Sequence, residues 1–301
     1  LGSLTERVSK ILSFSMDRFW GGRSLLVSAT VADAGIKSSI HGIGGDELFG
    51  GYPSFRDVPR ALQLCMIPTP LRKLMGRMIS GDRLRRSKIG ELLQCDCSVL
   101  ETFLIRRRIF SFQQRRELLG QNPPPGRSGL PEEWFSWMNM SSEPIPDMFA
   151  AISRLELIHY AGNKLLIDGD VMSMANSMEV RFPLLDVDLV RAVLKTSSNE
   201  KKYDRKGFRK PALVNTIPGF PGDLMSPRKR GFTLPVGQWM KNELNAGCKQ
   251  FLLEGGLSDF LTPSGTAKAW GRFVNSPDTN EWIRVWALYV LGCWKNVRVG
   301  V

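Results

Sequence analysis

The chain has 301 residues, with 41 Lys and Arg against 29 Asp and Glu, a formal charge of +12, and 43 % apolar residues. That length and apolar content suit one large domain or two modest ones with a substantial core. No run of about 18 apolar residues offers a membrane span. Two histidines, His41 and His159, leave almost no material for a histidine-built metal site or a Ser-His-Asp triad.

Glu6, Arg7, Lys10, Asp17 and Arg18 break up the first 19 positions, so these do not read as a secretory signal. A first residue of Leu rather than Met gives the expectation of a processed, split or truncated product. The five cysteines, at 65, 95, 97, 248 and 293, show no CxxC spacing, and are read as reduced thiols of a cytoplasmic protein. The basic clusters at 83–88, 106–108, 115–116 and 228–230 are scattered and poor in aromatics. They read as solvated faces rather than a nucleic-acid surface. Neither nucleic acid nor a membrane is expected as a partner. Acidic partner segments outside this chain are another source of the charge imbalance.

Residues 4–20 and 25–34 carry apolar positions near helical period, and Gly35 stops the second stretch. Residues 37–41 read as a short strand. From Pro53 onward the pattern is almost wholly helical: 62–66, 71–79, 97–110, 112–119, 144–160, 206–217, 236–253 and 280–293. Residues 121–131, with three consecutive prolines, read as a loop. Trp239, Trp282, Trp286 and Trp294 read as core aromatics. The chain divides into residues 1–55, the remnant of a nucleotide-binding α/β sheet, and a helical part, 56–301. One strand cannot make a sheet, so the others are expected from another chain or are lost.

Three stretches stand out. The first is 37–52, KSSIHGIGGDELFGGY. Gly42, Gly44 and Gly45 are expected to turn the backbone at positive φ and bring it close to a ligand. Asp46 and Glu47 then head an apolar run, as first-turn acids do. Amide groups at a helix start attract an anion, and a carboxylate beside them suits Mg²⁺ bridged to phosphate oxygens. A tight turn with an acidic cap accounts for the same residues. The second stretch, 164–186, ends in DVMSMANSMEVRFPLLD. By itself it reads as an amphipathic helix whose Met172, Met174 and Met178 fill core gaps. Glu179 and Arg181 are placed to pair and fix the 183–186 turn. The third is 228–239, RKRGFTLPVGQW, which sets Lys229 in a frame of Pro227, Gly231, Phe232 and Pro235. An ammonium there suits phosphate oxygens and the charge on a leaving pyrophosphate.

GIGGDELFGGY resembles the G-x-G-G-D-E-x-F-G-G-Y signature of the asparagine synthetase family. The second stretch resembles its D-R-x-S-M-A-x-x-x-E-x-R-x-P-F-L-D, and the third its K-x-G-F-x-x-P-x-x-x-W. All three occur in the family's order, over roughly 17–294. The resemblance implies an adenine-nucleotide α-hydrolase-like, Rossmann-like α/β fold, of which this chain holds the mostly helical C-terminal part. It implies carboxylate adenylation by ATP with Mg²⁺, then attack by ammonia or another amine to give an amide. Carried over, Asp46 holds magnesium pyrophosphate, Lys229 neutralises the leaving group, and His41, Gly42, Gly44, Gly45 and Glu47 line the ATP site.

This sequence departs from the family in three ways. The S-G-G-x-D-S pyrophosphatase loop is absent, and so is the glutaminase domain. An upstream segment or a partner chain is expected to supply both. Ile43 stands where asparagine-making members place a glutamate and ring-closing members a tyrosine, and isoleucine accepts no proton. Val171 replaces the family's arginine. Three readings follow: an asparagine synthase-like ligase completed by another segment, a ligase of the same fold for another carboxylate and amine such as a peptide macrocyclase, and a non-catalytic binding subunit.

Overall fold

The computed structural model describes residues 21–79, 84–121, 147–196, 210–214, 218–219, 235–275 and 281–298. The first helix, α1 (Gly21–Asp33), ends at Gly35, whose φ of 78° is the left-handed stop its position predicts. Strand β1 (Ser38–Ile40) leads into the glycine turn and the short helix α2 (Gly45–Leu48). Next come α3 (Ser54–Leu62), a 3-10 turn (Gln63–Met66), α4 (Thr69–Ile79) and α5 (Leu84–Gln94). Helices α4 and α5 lie close because Gly76 faces Gly90: a Cβ on Gly76 would meet the Gly90 carbonyl at 3.0 Å.

Helix α6 (Val99–Arg107) is capped by the Ser98 hydroxyl, which accepts from the Glu101 amide. Helix α7 (Phe112–Leu119) has a reciprocal Ser111–Gln114 capping box and stops at left-handed Gly120. These signals are local, and the helix falls where the sequence places it. Helix α8 (Met148–Glu156) runs on into ten residues of π-helix, Leu157–Leu166, and then α9 (Ile167–Met174). The expected single helix over 164–186 breaks. Ser177 at φ 53° turns the chain into strand β2 (Glu179–Arg181), followed by a 3-10 turn (Pro183–Leu185) and α10 (Val187–Lys195).

The sheet is two parallel strands, with Ser38 opposite Glu179 and Ile40 opposite Arg181. Thus the second strand comes from the stretch read as helical. Strand β1 is exposed: Ile40 is 75 % and the preceding Ile36 50 % accessible. A buried parallel sheet would cover such positions.

Helices α11 (Pro211–Val214), α12 (Val236–Lys241), α13 (Asn245–Leu252), α14 (Pro263–Asn275) and α15 (Trp282–Arg298) complete the described chain. The last four enclose the largest apolar cluster, with Met240, Phe251, Leu252, Trp270, Phe273, Val285 and Trp286. Trp286 is buried, and Trp239 and Trp282 pack against the cluster, but Trp294 is 38 % exposed and is not a core residue.

Two of the cysteines read as free thiols are bridged. Cys65 and Cys97 form a disulfide, with Cα atoms 5.9 Å apart, while Cys95, Cys248 and Cys293 are free. The spacing signal fails here because the pairing joins the 3-10 turn to the start of α6. Among the described residues no helix is long and apolar enough to cross a membrane.

Candidate functional site

The glycine turn is shaped by Gly44 alone rather than by three glycines at positive φ. Among Gly42, Gly44 and Gly45, only Gly44 has positive φ, at 101°. A Cβ on Gly44 would also press the Leu184 carbonyl at 2.9 Å, so the turn packs directly on the 3-10 turn after β2. The first two family-like stretches therefore touch, and the His41 amide donates to the Arg181 carbonyl at 2.9 Å. The His41 ring stands edge-on to Phe182, with centroids 5.9 Å apart. A Cβ on Gly42 would meet nothing within 4 Å, so one side of the turn is open.

The two acids of the turn face different ways. Glu47 is 1 % exposed and works inward. One of its oxygens accepts from the Gly44 amide at 2.9 Å and the other from the Tyr52 hydroxyl at 2.7 Å. This is the back-bonding half of a capping box, so the geometry gives Glu47 the task of fixing the turn. Burial, followed by the carboxylates of Glu47 and Asp46, pushes the Tyr52 hydroxyl well above its usual range, so it remains a donor.

Asp46 points outward. Lys210 Nζ lies 2.6 Å from its Oδ1, with the two side chains 26 % and 22 % exposed. A Cβ on Gly51 would stand 1.8 Å from the same Oδ1, so the carboxylate fills the notch that this glycine leaves. A Cβ on Gly45 would lie 3.4 Å from Lys210 Nζ, which puts the ammonium over the turn. Lys210 itself has φ 60°. A left-handed lysine costs about 1–2 kcal/mol, whereas a surface ion pair returns about 0–1 kcal/mol and this one is about three-quarters buried.

Lys229, the cation expected beside Asp46, lies outside the described residues, as do Pro227, Gly231 and Phe232. Sequence reasoning passed over Lys210, which sits in a lysine-rich segment with no distinguishing spacing.

Beneath the turn lies a buried polar network. Glu156 is fully buried and accepts from both Ser54 Oγ and Arg107. The Arg107 guanidinium stacks between two rings, 4.9 Å from Tyr52 and 4.5 Å from Tyr160, the latter contributed by the π-helix. Burial raises the Glu156 carboxyl despite Arg107, and burial with Arg107 lowers His159. On the π-helix, Lys164 pairs with Asp168 at 3.1 Å. Glu179 and Arg181 do pair, at 3.0 Å, on the exposed edge of β2.

Among the described residues no group of three His, Cys, Asp or Glu assembles. A metal here would rest on Asp46 and on oxygens of a bound anion, which is a donor set that suits magnesium. Of the turn's glycines, Gly42 is the one that faces open space, while Gly44, Gly45 and Gly51 are covered by Leu184, Lys210 and the Asp46 carboxylate.

The family model for asparagine synthase matches residues 19–294. The chain is 23 % identical over 267 residues to "Asparagine synthetase (glutamine-hydrolyzing) 1" of Bacillus subtilis, covering 87 % of this chain and 40 % of that protein. It is 26 % identical over 210 residues to the "Putative asparagine synthetase (glutamine-hydrolyzing)" of Mycobacterium bovis, covering 68 % of this chain and 31 % of that protein. The relative of the same name in Mycobacterium tuberculosis H37Rv matches over the same share. The chain thus spans less than half the length of these relatives, and no solved structure matches it. With two of its three signature stretches meeting at one turn and the family model spanning nearly its whole length, the chain belongs to the asparagine synthase family.

Proposed function

We propose that this chain is the part of an ATP-dependent amide ligase that holds the pyrophosphate side of the reaction. The observation that carries this reading is the Asp46–Lys210 pair set over a glycine turn. Its carboxylate and ammonium suit a magnesium-bound anion, and the turn is open at Gly42. Asp46 would hold Mg²⁺, which supplies neutralisation of the charge that develops on leaving pyrophosphate. Glu47 and Tyr52 keep the turn in shape, and His41, Gly42, Gly44 and Gly45 form the wall along which ATP lies. In the family's reaction a carboxylate attacks the α-phosphorus of ATP and expels pyrophosphate, and an amine then displaces AMP. Aspartate, with ammonia drawn from glutamine, is the first substrate pair to test.

Ile43 supports a second reading, in which the carboxylate or amine differs. Isoleucine removes the proton acceptor that an incoming ammonium needs, so another group must deprotonate the amine.

Strand β1 supports a partner. Its exposed Ile40, in a sheet of only two described strands, suits further strands from a segment that also brings the S-G-G-x-D-S loop and the glutaminase domain. A cytoplasmic location fits a ligase that draws on the ATP pool.

The reading is tested by pyrophosphate release from ATP, Mg²⁺ and aspartate, with and without that segment. Release is expected in its presence, and Asp46→Asn should lower it by at least about tenfold. No release in either mixture, from aspartate or from a panel of other carboxylates, would overturn the proposal.

A further inference from the structure

The geometry points to a role for Lys210: it occupies Asp46 when no metal is present and moves to the phosphate oxygens when magnesium pyrophosphate binds. The inference rests on the proposed function and extends it to a residue that the three signature stretches do not contain.

The lysine reaches the turn from the start of α11. The Lys210 carbonyl accepts from the Leu213 and Val214 amides, both at 3.1 Å, so the residue opens α11. Ala212 and Leu213 then pack against the cluster of Leu48, Phe49 and Val193. Leu48 and Phe49 follow directly on Asp46 and Glu47. One apolar cluster therefore anchors both the carboxylate and the lysine, from segments more than 160 positions apart.

The lysine takes a left-handed backbone to face the turn, one of three non-glycine residues among those described to do so. Backbone strain of this kind persists where the surroundings over-determine it, and it concentrates at working sites. The pair is reached by solvent, with about a quarter of each side chain exposed. An incoming ion can therefore exchange with the ammonium without opening the core.

Charge sets the direction of the exchange. Mg²⁺ prefers carboxylate and phosphate oxygens. It competes with Lys210 for Asp46 and brings with it a pyrophosphate whose negative oxygens attract a nearby ammonium. An ammonium presents three donors on a flexible stem and can turn from the carboxylate to an adjacent phosphate oxygen. No covalent step is involved. Lys210 is thus a competitor of the bare metal and an ally of the metal–pyrophosphate complex.

The test uses the full 301-residue chain. Mn²⁺ binding is followed by electron paramagnetic resonance, and magnesium pyrophosphate binding by calorimetry. Lys210→Met should weaken magnesium pyrophosphate by at least about tenfold, the loss of one charge-assisted contact. The same variant should bind Mn²⁺ alone more tightly, by several-fold. Lys210→Arg, which keeps the charge, should stay near the native chain in both measurements.

These opposite signs separate the inference from a purely structural role, because a loosened turn would weaken both ligands together. If both fall together, or if Lys210→Met binds magnesium pyrophosphate like the native chain, the inference is overturned while the ligase reading stands. If the native chain binds no magnesium pyrophosphate, the inference is overturned, and the ligase reading stands or falls by the release assay with the added segment. Should Lys210→Met fail to fold, Lys210→Gln carries the same two measurements, with the same outcomes decisive.

Discussion

The region around the glycine turn and the tryptophan-rich C-terminal helices are held together by different means. Around the turn, buried side chains include Glu47, Ser54 and Glu156; Glu47 is held by Gly44 and Tyr52, and Ser54, Arg107 and Glu156 join α3, α6 and α8. In α12–α15 the interior is mostly apolar, from Met240 and Leu252 to Val285 and Trp286, with Thr266 and the Glu281–Arg284 pair as buried polar members. A buried charge network is costly to break but fixes geometry. Apolar packing contributes stability with less directional demand. The contrast teaches that the chain keeps its orientation-sensitive groups where the turn needs them and draws bulk stability from elsewhere.

The sharpest way to break this comparison is Arg107→Met, which leaves Glu156 buried without its cation. Urea unfolding should show a loss of about 3 kcal/mol, the low end for a broken buried pair because the Arg107 side chain is 33 % exposed. Adding Glu156→Gln should recover part of the loss. If the single variant loses less than about 1 kcal/mol, the network is not what supports the turn.

A cavity in the other region should act differently. Met240→Ala, at a fully buried position, should cost about 2–3 kcal/mol. Calorimetry on the folded variant should find magnesium pyrophosphate affinity within about twofold of the native chain, since Met240 belongs to the C-terminal apolar cluster and not to the one that anchors the turn. A larger change would mean that the two regions are coupled.

The smallest effect is one of pH, and one buried group in each region marks it. His159 is held below its ordinary value of 6.5 by burial and by Arg107. The unfolded chain then takes up the proton more readily, so stability falls as pH drops through 6.5. Cys248 is pushed up to about 12 from 9.0 by burial and the nearby Cys293. Its unfolded thiol ionises first, so stability falls as pH rises from 9 towards 12. Each slope is limited to about 1.4 kcal/mol per pH unit for one proton. Thermal melts across pH should show His159→Phe flattening the acid side and Cys248→Ala the alkaline side. An exchange of these two assignments would refute the division.

What the sequence discloses follows the range of each interaction. Helix α7 is legible because Ser111, Gln114 and Gly120 signal its ends within ten residues. The stop of α1 at Gly35 is legible for the same reason. The outward Asp46 and the glycine turn are legible as local chemistry, and the family-like stretches mark where they lie. Strand β2 was hidden because its methionine-rich surroundings carry helical spacing, and because its partner lies some 140 positions earlier. Lys210 was hidden for a related reason: nothing in its neighbours says that a left-handed residue will face Asp46. The sequence does not disclose that Glu47 is buried and bonded to Gly44 and Tyr52, because acids at a helix start look alike until their burial is known.

The bridge between Cys65 and Cys97 closes a ring of chain that contains α4 and α5. A protease that nicks the backbone once inside that ring liberates no fragment. On a denaturing gel the cut and uncut proteins migrate as one species until a reductant is added, and only then does the cleavage become visible.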